Sequence, residues 1–327
     1  MSPPRLRRLP QRGAALLMAM LTVALVATFA SAALWQQWRS VEVESAERAR
    51  LQSSWILTGA LDWARLILRE DARSGGADYL SEPWAVPLQE ARLSTFLAAD
   101  KGAADSSAND ALDAFLSGQI TDLQSRLNLT NLVESGKVSD SGLAAFTKLF
   151  ELLGLPTGEV QALAANLVAA SITSADNAAS QAPLLPQRVD QLIWLGLSPA
   201  TVAALKPFVT LLPARAPVNL NTASAEVICA SVPTLEMADA QRLVSLRTRN
   251  HFRSVTDAGT QAGLSASLLN DSQQSVASRF FEVRGRLRLG TLLVEERSVL
   301  QRDGLTITTL SRERTLPTPA AVAEARP

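Results

Sequence analysis

One imidazole and one thiol, His251 and Cys229, are the whole supply of those groups in a chain of 327 residues. A serine-type triad would need the histidine beside a nucleophile, and no Gly-x-Ser-x-Gly elbow accompanies it. His251 follows Arg249-Asn250 and reads as a loop residue; Cys229 lies amid Val227, Ile228 and Ala230 and reads as a small core residue. A single cysteine excludes an internal disulfide and a cysteine-based metal cage. Neither a P-loop nor a Gly-x-Gly-x-x-Gly run is present. Asp105, Asn109, Asp110 and Asp113 form a small acidic cluster, but no glycine or distal glutamate gives it the spacing of an EF-hand, so it reads as a solvated polar loop. The expectation is a protein that is not an enzyme.

The elements that carry these residues follow from composition and pattern. Hydrophobic residues make up 47% and charged residues 19%, enough for a buried core and too apolar for wholesale disorder. The 31 basic and 31 acidic residues cancel, yet residues 1–13 hold Arg5, Arg7, Arg8 and Arg12 and no acid. The rest of the chain therefore holds 27 basic against 31 acidic residues, a poor surface for nucleic acid. From Ala14 to Leu34 the only polar members are Thr22, Thr28 and Ser31. As a helix this run measures about 31 Å, the thickness of a bilayer's hydrocarbon core. The arginines before it place the amino terminus in the cytoplasm and the body in the periplasm, and Trp35 and Trp38 follow where indole rings favour the membrane interface.

Two fates of this segment are open on its residues. Ala30-Ser31-Ala32 fits a small-x-small signal cleavage site, which would release a periplasmic binding protein or hydrolase after Ala32. Arg12-Gly13-Ala14-Ala15-Leu16-Leu17 resembles the leader junction of type IV pilins and pseudopilins, cut after glycine by a prepilin peptidase. The helical pattern does not stop at Leu34. Ile56, Ala60, Trp63 and Ile67 form one stripe, and Leu57, Leu61, Ala64 and Leu68 the stripe beside it, a wide apolar face expected to pack on a sheet. The resemblance implies that Gly13 and Ala14 are the processing junction. Met18 then stands where most pilins and pseudopilins carry a glutamate, which sets the chain apart from repeating filament subunits.

Further along, Gly75, Gly76, Pro83 and Pro87 end the long helix, and a strand is expected around Arg92–Leu97. From about Ser141 to Asn270 the pattern predicts at least six short helices. One carries Leu143 to Leu153, one Val160 to Val168, a third Val189 to Leu195, and a fourth Val202 to Val209 interrupted by Pro207. Asn221 and Thr222 read as turn and N-cap residues for a helix starting at Ala223. Three strands close the chain: Val283–Leu289, Thr291–Leu300 and Leu305–Leu310, with Gln301-Arg302-Asp303-Gly304 as the hairpin turn between the last two. Arg284, Arg286 and Arg288 are expected on its solvated face, or against an acidic partner subunit.

A helical block between an amino-terminal helix and a carboxy-terminal sheet resembles the K-type minor pseudopilins of the type II secretion system, the general secretion pathway protein K family. The residues that carry the resemblance are Arg12-Gly13 with Met18, Glu82-Pro83-Trp84-Ala85, the run Ile120 to Leu129, and Val218-Asn219-Leu220-Asn221-Thr222-Ala223. It implies an α+β fold in which a long membrane and stalk helix packs on a small antiparallel sheet, with a large inserted all-α domain. The implied division is a leader over 1–13, a transmembrane helix over 14–38, and the stalk and first part of the pilin-like domain over 39–130. The inserted domain follows over 131–275, a closing β-meander over 276–314 and a disordered tail over 315–327.

The resemblance also implies the tip of the pseudopilus as the location and initiation of its assembly as the role. The implied partners are the I- and J-type minor pseudopilins, the major pseudopilin, the prepilin peptidase and the inner-membrane secretion platform. Calcium in the α-domain is implied too. The corresponding stretch, Ala169 to Asn177, offers one carboxylate, Asp176, beside Asn177, while calcium takes six to eight oxygens; binding is expected to be weak or absent. Val218 to Arg249 also resembles a helix-hairpin-helix unit. Its hairpin reads Val232-Pro233-Thr234-Leu235, without the glycine that lets a phosphate approach backbone amides, so structural reuse is expected and no nucleic acid is.

Overall fold

The structure, a computed structural model, describes residues 12–93, 114–171, 182–265, 267–290 and 292–315. Helix α1 runs from Arg12 to Ser74 without proline. The chain divides into two units, residues 1–56 and 57–327. In the first, the described residues are helical throughout and almost all exposed, from Leu16 and Leu17 to Trp35, Trp38 and Trp55.

The second unit is built on a five-stranded antiparallel sheet in the order β1-β2-β9-β10-β11. Its strands are β1 (Leu88–Arg92), β2 (Ala114–Asp122), β9 (Phe280–Leu289), β10 (Leu292–Asp303) and β11 (Thr306–Thr315); between β2 and β9 come the two-residue strands β3 (Leu127–Asn128), β4 (Val133–Glu134), β5 (Lys137–Val138), β6 (Val209–Thr210), β7 (Val218–Asn219) and β8 (Gln274–Ser275). The expected apolar face of α1 does meet this sheet, but unequally. Leu57, Leu61, Ala64 and Leu68 are buried, the last three in one cluster with Trp84, Phe281, Val283 and Leu300. Of the other stripe, Trp63 is 41% exposed. β9 alternates as expected, with Phe281, Val283 and Leu287 inward toward the helix. The β10–β11 turn is tighter than expected: Gln301, Arg302 and Asp303 continue the strand and Gly304 alone takes a positive φ, +56°.

β2 and β9 are neighbours in the sheet, paired from Ala114↔Leu289 to Asp122↔Phe281. The helical domain is therefore inserted in what would otherwise be a hairpin connection. It holds α2 (Asp140–Leu152), α3 (Gly158–Ser171), α4 (Pro199–Leu205), α5 (Ala225–Ser231), α6 (Met237–Arg249) and α7 (Val255–Ala262). Its core gathers Phe146, Phe150, Leu163, Leu192, Ile228 and Phe252 among many others. At one end Leu212, Ala216 and Leu123 cover Phe280 and Val299, on the sheet face opposite α1.

Several expectations are corrected here. Val189–Leu195 is a 3-10 helix closed by Gly196 at φ +94°, not an α-helix. α4 ends at Leu205, before Pro207, and Val209 instead pairs in parallel with Leu127. α5 is capped by Ser224, whose hydroxyl accepts from the Val227 amide, rather than by Thr222. A first strand covers Leu88–Arg92; of the strand expected around Arg92–Leu97, residues 94–97 lie outside the described residues.

Candidate functional site

In the first unit the surface carries no charge from Ala14 to Trp38. α1 is long and apolar enough from Ala14 onward to cross a bilayer, and none of its most apolar stretch is buried. Ala14 and Met18 both lie within this exposed helical stretch. Thr22 and Thr28 return their hydroxyls to the carbonyls of Ala19 and Leu25, so the two polar side chains spend their donors inside the helix. Trp35 and Trp38, one turn apart, set their rings 5.6 Å from each other. Gly13 is helical.

In the second unit the helical domain is tied to the sheet by a buried polar hub. Asp122, at the end of β2, accepts from Thr222 Oγ1 at 2.6 Å, Ser278 Oγ at 2.6 Å, Asn219 Nδ2 at 3.1 Å and the Gln124 amide at 2.7 Å. Burial pushes its carboxyl above the ordinary range, while the Ser278, Thr222, Gln124 and Asn219 hydrogen bonds pull the other way. Asn219 Nδ2 also donates to Ser278 Oγ and to the Asp78 carbonyl. Asn221 exchanges two hydrogen bonds with the backbone of Phe252. These are the polar residues of the Ile120–Leu129 and Val218–Ala223 motifs, and their work is to fix the inserted domain on the sheet.

A second group adjoins the hub. Asp71, Asp78 and Glu82 bring carboxylate oxygens within 4.8 Å of one another. Arg302 from β10 stands among them, with Nη1 on Asp71 at 2.5 Å and Nη2 on Asp78 at 2.6 Å. The guanidinium supplies the positive charge that a cation would otherwise provide. Burial raises Asp78 to about 6 against the Arg302 hydrogen bonds, and raises Glu82 to about 7 against donation from the Tyr79 amide and Trp84 Nε1. Trp84, the buried member of the Glu82-Pro83-Trp84 motif, in turn sets its ring edge-on to Phe281. Beside it the chain's single tyrosine and single histidine, Tyr79 and His251, stack at 3.8 Å with 6° between planes.

The remaining candidates resolve as follows. Asp176 and Asn177, like Asp105, Asn109, Asp110 and Asp113, lie outside the described residues. The described part of the calcium stretch, Ala169-Ala170-Ser171, carries no carboxylate. In the helical hairpin, Val232 and Leu235 are buried, Arg242 donates to the Ala262 carbonyl and Arg247 to the Leu220 carbonyl. Those arginines are engaged within the domain rather than presented to phosphate. Cys229 is buried and donates to the Leu235 carbonyl, and burial raises its thiol. An apolar groove, missed from sequence, opens beside the exposed stripe of α1. Gly118 and Gly285 face each other across β2 and β9 and form its floor, because a Cβ on Gly285 would come 3.2 Å from Leu57. Trp63, Ile67, Trp84 and Val86 line a cavity of about 250 Å³.

Comparison with known proteins agrees with this architecture. Two family models described as type II secretion system, protein K, match residues 125–214 and 218–278, which together span the inserted domain and its junctions. A type II secretion system protein K of Pseudomonas aeruginosa PAO1 is 28% identical over 315 residues, covering 89% of each chain. One from Klebsiella pneumoniae is 27% identical, covering 92% of this chain and 96% of its own, and one from Pectobacterium carotovorum is 25% identical over 93% and 96%. A chain of the crystal structure of the GspK–GspI–GspJ complex from enterotoxigenic Escherichia coli superposes with a TM-score of 0.63 at 17% identity, over 83% of this chain and 98% of that one, a likeness of fold. The motif residues lie at the junction where the matched helical domain meets the sheet, and the chain is similar to the type II secretion system protein K family, in the models over its inserted domain and in the relatives over most of its length.

Proposed function

We propose that this chain is a minor pseudopilin that sits at the tip of the pseudopilus, starts its assembly and supports protein export, acting through contacts rather than catalysis. The observation that carries the reading is the helical domain inserted between two adjacent strands of a sheet that lies on the same helix as an exposed apolar anchor. In this reading residues 1–13 are a leader removed by prepilin peptidase between Gly13 and Ala14, and residues 14–38 hold the chain in the inner membrane with its body in the periplasm. Trp35 and Trp38 mark the membrane interface. Residues 39–130 and 276–314 supply the pilin-like part, and 131–275 the inserted domain. Met18 offers no carboxylate to a neighbour's charged amino terminus, which suits a subunit placed above all others. The solved complex contains GspK with GspI and GspJ; we assign I- and J-type minor pseudopilins as partners here, with the major pseudopilin and the inner-membrane platform joining in assembly.

The test is co-isolation from membranes in mild detergent of the full chain with its I- and J-type sisters. A stable ternary complex is expected. Recovery of the chain alone, at protein levels where the sisters pair with each other, would contradict the reading.

A further inference from the structure

Where the helical domain meets the sheet face opposite α1, Phe280 and Val299 are covered; the next outward-facing residues on β9 are Glu282 and then Arg284. Glu282 is 1% exposed and accepts Arg284 Nε at 2.6 Å and Arg297 Nε at 2.5 Å. Arg284 and Arg297 face each other across β9 and β10. Arg126, just past the end of β2, lies within electrostatic reach of all three and forms no ion pair or side-chain hydrogen bond among the described residues. Glu313 stands opposite Arg297 on β11 and is matched by Arg188 at 3.8 Å. Four guanidiniums and two carboxylates leave a net charge of +2. Asp122, also near Arg126, is enclosed by its own four donors.

Two facts make this a receptor rather than a closed ion-pair network. Glu282 engages the Nε of each strand arginine, so the terminal Nη groups of Arg284 and Arg297, whose side chains are 49% and 33% exposed, carry no hydrogen bond among the described residues. Arg126 is half-buried beside these groups; burial first, then Arg284 and Arg297, lower its affinity for its proton against the attraction of Glu282 and Asp122, and Glu282 is already shared by the two strand arginines. A half-buried charge of this kind is relieved by an incoming anion. Planar Nη edges match carboxylates, and the modest net charge matches one or two of them rather than a dense polyphosphate. Gln119 and Thr121 on β2, opposite Arg284 and Glu282, extend the surface with uncharged polar groups suited to a peptide.

We infer that the sheet face carrying Arg284 and Arg297, with Arg126 beside it, receives an aspartate- or glutamate-bearing segment of a partner protein. This goes beyond the assembly reading and does not depend on which proteins join the pseudopilus.

The test is titration of the full chain in detergent with a labelled oligoglutamate peptide at low salt. Saturable binding is expected, weakened about tenfold in Arg126→Gln, the equivalent of one charge-assisted contact. Because Arg126 holds no side-chain hydrogen bond or ion pair among the described residues, its removal should leave thermal unfolding unchanged. Should that variant melt lower, Arg284→Lys, which keeps the charge and loses the planar edge, gives the same readout. Arg279→Gln, at the Asp303 pair, should bind like the parent. Absence of binding, or equal binding by parent, Arg126→Gln and Arg284→Lys, would overturn the assignment. Tighter binding of tripolyphosphate through the same arginines would overturn it in favour of a phosphate ligand. The I- and J-type co-isolation is scored separately, so its failure leaves this result standing.

Discussion

Thr222 Oγ1 donates to Asp122 Oδ2 across 2.6 Å, joining residues one hundred positions apart and the helical domain to the sheet. The same oxygen takes the Ser278 hydroxyl and Asn219 Nδ2, so one buried atom serves three donors from both sides of the junction. Asp122→Ala would strand those donors in a dry site. The expected cost is on the order of 3 kcal/mol or more of unfolding free energy, read by denaturant unfolding of the full chain. A loss below about 1 kcal/mol would show that the junction does not rely on this atom.

Glu82 and Asp78 set a pH dependence whose sign is fixed by burial. Both carboxyls hold their protons to about 7 and about 6 when folded, against about 4 for unfolded carboxylates. Their contribution is therefore greatest below about pH 4 and is lost as pH rises through about 6 to 7. Glu82→Gln keeps an acceptor for the Tyr79 amide and the Trp84 indole and removes the titration. Melting temperature measured across this range should fall less steeply in the variant than in the parent; parallel curves would assign the slope to other groups.

Two glycines should respond oppositely to alanine. A Cβ on Gly142, in the first turn of α2, would lie 2.2 Å from the Asn131 carbonyl oxygen and 3.0 Å from Leu132 Cα. Backbone cannot yield there cheaply, and Gly142→Ala should cost about 1–3 kcal/mol. Gly59, inside α1, has nothing within 4 Å of its Cβ position, and Gly59→Ala should stabilise by up to about 1 kcal/mol through helix propensity. Thermal unfolding of the pair checks both signs.

How far the sequence could be read depended on whether the controlling contact was local. The long helix, its end near Arg73, the alternation of β9 and the glycine stop after α2 all follow from patterns within a few residues, and the structure has them. The split of the α1 face into a buried stripe and a half-buried one with Trp63 exposed does not, because it depends on a distant sheet on which Gly285 leaves room for Leu57. Thr222 looked like a helix cap by composition; its hydroxyl is committed to Asp122 instead, and Ser224 caps the helix. β2 has no strand signal of its own for the same kind of reason, its Gly118 and Gln119 being poor strand formers held by two neighbours. Local sequence puts Arg302 in a turn, and nothing nearby announces its pairing with Asp71 and Asp78.

Met18 offers a test of placement within the filament. Met18→Glu restores the carboxylate of a repeating subunit, and under the proposed function the variant should enter the pseudopilus shaft, seen as several copies per filament by cross-linking in membranes. Retention of a single copy would show that placement rests on the inserted domain instead.

The measurement closest to the central claim is the intact mass and amino-terminal sequence of the chain from membrane fractions, with and without prepilin peptidase. The account predicts a membrane-held chain beginning at Ala14 only when that enzyme is present. A soluble chain beginning at Ala33, independent of the peptidase, would contradict it.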